Sequence, residues 1–93
     1  MNTHEKVTLI EGEFSIEEGF DVLTNIFYSK IHYHEMKNFS SQLRFGKDDQ
    51  TASIRIPDLN KDLEKIKEFI SQLNKENKKL RITSEIHISI AGE

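Results

Sequence analysis

The residues with most chemistry to offer in this 93-residue chain are four histidines and sixteen carboxylates. His32 and His34 stand two apart in a stretch that reads as helix. Helical residues two apart point in nearly opposite directions, so this pair cannot share an ion. His32 with Glu35 or Met36, and Lys30 with His34, are the pairs that face each other. A structural zinc takes four ligands, often thiolates, and the chain has no cysteine. Neither a metal nor a cofactor is expected. His34 ends an apolar stripe and reads as a partly buried, hydrogen-bonded histidine.

Glu85 and His87 share the polar side of a strand-like segment with Arg81 and Thr83. Two residues along a strand span about 6.6–6.8 Å, from where a carboxylate can orient an imidazole or the row can hold an anion. The sequence supplies no nucleophile or second acid to complete a catalytic set, so a solvated or interface-covered face is the expectation. Glycine occurs only at 12, 19, 46 and 92, which spells neither a dinucleotide fingerprint nor a phosphate loop, and no G-x-S-x-G or H-E-x-x-H appears. No catalytic residue is nominated, and the chain is not expected to be an enzyme.

Charge is distributed unevenly. Residues 1–27 carry a net −5, residues 28–47 a net +3 and residues 48–93 a net −1. The positive block holds Lys30, Lys37, Arg44 and Lys47 among Tyr28, Tyr33, Phe39 and Phe45. Cations interleaved with aromatics can neutralise phosphates and stack on bases. Four cations are few beside the strongly basic footprint of a typical nucleic-acid binder, and cations near a helix C-terminus also serve its dipole. Lys30, His34, Lys37, Arg44 and Lys47 are therefore nominated as a partner-binding set, with nucleic acid as a possible but not favoured partner.

These residues need elements to position them. Val7 and Leu9 alternate with Lys6 and Thr8, which predicts a strand over about 5–10. Ser15 and Glu18 have capping-box spacing, and Phe20, Leu23, Phe27, Ile31 and His34 follow as one stripe of a helix placed at about 16–37. At the other end, Leu80, Ile82, Ser84, Ile86, Ile88 and Ile90 alternate with polar residues, predicting a strand wet on one face.

The middle has two readings. In one, residues 42–57 form a hairpin turning at GKDDQ, with Pro57 ending its second strand; this gives β-α-β-β-α-β, a ferredoxin-like sandwich. In the other, Ala52, Ile56, Leu59, Leu63, Ile66, Ile70 and Leu73 make an unbroken heptad seam, capped by Asp48 or Asp49 and closed by Asn77 with Lys75, Lys78 and Lys79. Pro57 inside a helix costs about 3 kcal/mol or more, yet the seam crosses it without losing phase. The second reading is preferred: an α+β, β-α-α-β chain with a long antiparallel helical hairpin on a two-stranded antiparallel ribbon. Phe69 widens the second helix's stripe beyond a strict two-helix contact, and packing on the sheet is preferred to a role in a partner surface.

The composition fits this thin architecture. Apolar residues are 35% of the chain and charged ones 31%, below the roughly 45–50% apolar content, glycine included, of ordinary globular domains. One domain over 1–93 is expected, with no membrane span or signal peptide. The missing cysteines suit a reducing cytoplasm. A two-stranded sheet alone is marginal in water and its edges template further pairing. A symmetric dimer that completes a larger sheet is the simplest remedy. The expected function is that of a small non-catalytic interaction or regulatory module, homodimeric and open to a protein partner. A nucleic-acid binder using 28–47 is the alternative, and an enzyme centred on His34 or His87 the third possibility.

Overall fold

The computed structural model describes residues 3–73 and 78–92. Among them the chain runs β1 (His4–Ser15), α1 (Ile16–Phe45), α2 (Gln50–Ser71) and β2 (Lys79–Ser89). This is the α+β, β-α-α-β order. The ferredoxin-like alternative fails because residues 42–57 are not pleated: they form the last turn of one helix, a four-residue loop and the first turns of the next.

Local signals explain the helix boundaries. Ser15 caps α1 by accepting from the Glu18 backbone N–H at 3.1 Å. Glu17 and Glu18 place negative charge at the positive helix end. The helix passes the expected stop at 37 because nothing from Asn38 to Phe45 breaks it. It ends at Gly46, whose left-handed φ of 67° lets its N–H reach Gln42 O at 2.9 Å. At 30 residues, α1 is about 45 Å long.

The loop is held by side chains. Ser41 Oγ donates to Lys47 O at 2.9 Å, Gln42 Nε2 to Asp48 Oδ1 at 2.7 Å, and the Asp49 N–H to Asn38 Oδ1 at 2.8 Å. Asp49 then caps α2, accepting from the Ala52 N–H at 2.9 Å.

The heptad seam is the hairpin's core. Ala52, Leu59, Leu63 and Ile70 are buried, Ile56, Ile66 and Leu73 half-buried, and Ile54 lies outside the seam, exposed. They meet Ile16, Ile31 and His34 of the buried side of α1. Pro57 lies within α2 and is exposed, as is Ser53. The carbonyl that proline leaves without an intrahelical donor is that of Ser53, on the wet side, where water serves it. The expected closing group is corrected: α2 stops at Ser71 with Gln72 as its cap, Lys79 already belongs to β2, and Lys75 and Asn77 lie outside the described residues.

The strands pair antiparallel from His4↔Ser89 to Ser15↔Lys79. β1 is longer than the expected 5–10, since Glu11, Gly12 and Glu13 find partners in Thr83, Ile82 and Arg81. The register shifts between Thr8 and Ile10, leaving Leu9 as the extra residue of a bulge. The shift brings Val7, opposite Ile86, onto the same face as Ile10, opposite Ser84, and Phe14, opposite Leu80. Leu9, expected to alternate in step with Val7, has no partner of its own in the ladder.

The ribbon meets the helices only near its connected end. A methyl on Gly19 of α1 would stand 2.6 Å from Leu80 Cδ1, so β2 seats its first leucine in the space that glycine leaves. Among the described residues no α2 Cα comes within 8 Å of either strand. Farther out Val7, Leu9, Ile86, Ile88 and Ile90 are all exposed. The radius of gyration is 16.9 Å, against about 12 Å for a compact chain of this length.

Candidate functional site

Two surfaces stand out, at opposite ends of the hairpin. The first is near the α1–α2 loop and contains the nominated cations. Lys30, Lys37 and Arg44 lie seven residues apart on one helix, which sets them in a row at about 10.5 Å intervals. Tyr33 sits between the first two, with Lys30 Nζ 4.6 Å and Lys37 Nζ 5.9 Å from its ring centre. Tyr33, Met36, Lys37, Ser40, Arg44 and Phe45 line an open groove of about 390 Å³. Lys47 is exposed in the loop beyond.

His34 does not belong with them. It is 4% exposed, on the buried face of α1, with the Tyr33 ring edge-on at 5.3 Å between centroids. Its burial is as the stripe predicts, but its hydrogen bond is not: neither ring nitrogen has a partner. Burial lowers its pKa below the ordinary 6.5; Lys30, Arg55 and Lys37 act in the same direction, and Asp49 opposes them. This imidazole is packed as a core residue and stands apart from the cation row.

The polar face of the ribbon is occupied by cross-strand ion pairs. Arg81 Nη2 lies 2.6 Å from Glu13 Oε2, and Lys6 Nζ 3.6 Å from Glu85 Oε2. Glu85 thus engages Lys6 and does not orient His87, which stands opposite Lys6 in the register. Among the described residues no three His, Asp or Glu side chains gather as a cation site.

The second surface is a cleft of about 390 Å³ between the start of β2 and α2, lined by Ile66, Phe69 and Ile70 of α2, Leu23 of α1, and Leu80 to Thr83. Phe69 lines this cleft but does not pack on the sheet as expected: it remains 60% exposed. The sequence offers Phe69 and the alternating isoleucines as signals. What it hides is the gap between them, which depends on how far the ribbon stands from α2.

Compared with protein-family models, curated proteins and solved structures, the chain matches none. No helix among the described residues is long and apolar enough to cross a membrane.

Proposed function

We propose that this chain is a non-catalytic interaction or regulatory module of the cytoplasm that acts as a homodimer, with the ribbons of two copies joined in one larger sheet. The observation that carries this reading is surface. The protomer exposes 7520 Å², whereas a compact monomer of 10.9 kDa exposes about 5,600 Å². The excess of about 1,900 Å² per chain exceeds the roughly 800 Å² per partner of a standard interface and falls within obligate homodimer range. Val7, Leu9, Ile86 and Ile88 of the ribbon are among the exposed apolar side chains that contribute to it. Light scattering over a dilution series tests the reading: twice the chain mass at micromolar concentration supports it, and the single-chain mass at high micromolar concentration refutes it.

A second reading rests on the row of Lys30, Lys37 and Arg44 along the Tyr33–Phe45 groove, which suits a single-stranded nucleic acid. Cations there would follow the phosphates while Tyr33 and Phe45 stack on bases. Binding to a single-stranded oligonucleotide should then fall steeply with salt, and Arg44→Ala with Lys47→Ala should flatten that dependence. Absence of binding at low salt removes this reading.

A further inference from the structure

Building on the homodimer reading, we infer that the second copy docks at the free edge of β2, its own β2 running antiparallel with Ile86 on the twofold axis and its end reaching the mouth of the cleft beside α2. The cleft is touched by Leu80, Arg81, Ile82 and Thr83 in succession. Neighbouring side chains of a strand point to opposite faces, so a cleft reached by all four runs along the strand's edge. Among the described residues that edge has no strand beside it. An added strand would meet the β2 backbone on one side and Ile66 and Phe69 on the other.

The two edges of the ribbon are unequal. β1 is interrupted at Leu9, and a bulge twists an edge away from further pairing. β2 pairs from Lys79 to Ser89 without an extra residue of its own, and it is rich in isoleucine, which favours strands. Addition at β2 is therefore preferred.

Charge and polarity choose the register. A slip by an odd number would set the isoleucine face against the polar face. Centring on Glu85 would oppose two like carboxylates, and centring on Ser84 would set Ile90 against Lys78 of the partner subunit. Centring on Ile86 opposes Ile86 to itself, Glu85 to the partner's His87, and Thr83 to the partner's Ser89. Each is a favourable cross-strand pair. It also brings the partner's Ile90 alongside Ile82, at the mouth of the cleft that leaves Phe69 exposed.

The chain has no cysteine, so single introduced thiols report cleanly. Ile86→Cys, Ser84→Cys and Leu43→Cys, the last far away on α1, are oxidised in the full-length protein and read by mass on a denaturing gel. Light scattering is run on each in parallel. Most Ile86→Cys chains should become covalent dimers. Ser84→Cys should not, since its copies lie about 13 Å apart along the strands in this register, and neither should Leu43→Cys. Phe69→Lys, at an exposed site, should raise the dimer dissociation constant at least tenfold. A dimer that cross-links at Ser84 but not Ile86, or at neither, overturns the edge and register while leaving the homodimer standing. A chain that stays monomeric overturns both.

Discussion

The helical hairpin, with helices of 30 and 22 residues, and the β-ribbon, with strands of 12 and 11, differ in how they are stabilised. In the hairpin, four seam positions are buried and three half-buried, both helix starts are capped by side chains, and the loop is tied by three side-chain hydrogen bonds. In the ribbon, the isoleucine face is covered only near Gly19 and Leu80, and the outer half has Ile88 at 53% exposure. The hairpin has a buried seam, although Phe39, Leu43, Phe45 and Phe69 stay exposed on its outer sides, while the ribbon has its backbone ladder and little apolar burial to accompany it. Two strands alone are marginal for that reason. The contrast places the buried core in the helices, and it is the strands that the proposed association would cover.

The sharpest way to break this contrast is Leu63→Ala. Leu63 is 3% exposed, and emptying such a site should cost about 2–5 kcal/mol, read as a lower denaturant midpoint. A loss below about 1 kcal/mol would mean the seam is not the core. Gly46→Ala should follow at about 1–2 kcal/mol, because a Cβ is strained at φ 67°. Thermal melting measures it, with little change expected in the ribbon's signals.

His34 sharpens the comparison through pH. Its pKa is held below the ordinary value in the folded chain, so the unfolded chain binds the proton more readily. Stability is therefore unaffected well above the ordinary pKa and is lost as pH falls through it, until the folded form protonates as well. His34→Leu removes a buried polar ring without partners. It should raise the melting temperature and flatten the acid limb of stability against pH. An unchanged acid limb would place the pH sensitivity elsewhere.

The smallest effects belong to the ribbon. Arg81→Ala deletes an ion pair whose side chains are largely in water, worth about 0.2–1 kcal/mol in a denaturant melt and less at high salt. In dilute single chains Ile88→Ala should change stability by about 0.5 kcal/mol or less. In the proposed dimer the loss grows with protein concentration, and the difference between the two regimes measures how much of the ribbon is covered.

Periodicity carried much of this fold. The seam from Ala52 to Leu73 was legible because tertiary packing enforces its phase even across Pro57, whose freed carbonyl faces water. The alternation from Leu80 was legible for the same reason at period two, as were the caps at Ser15 and Asp49. The length of α1 beyond Lys37 was not, since Phe39, Leu43 and Phe45 are exposed there and no buried stripe marks the turn. The Leu9 bulge left no signature either, because adjacent leucine and isoleucine suit either face. Of the nominated residues, Lys30, Lys37 and Arg44 do fall in one row and Lys47 stands near its end. His34 turns inward because a row of charges and a buried stripe run along neighbouring sides of the same helix.

The single surplus residue at position 9 bears on how far assembly can go. A ribbon with two equally smooth margins would recruit neighbours without limit, each newcomer offering the next a fresh template, and the product would be a fibre. With one margin dislocated, the proposed pairing through the other would be self-terminating: two molecules would consume both usable sides, and what remained outward would be the irregular one.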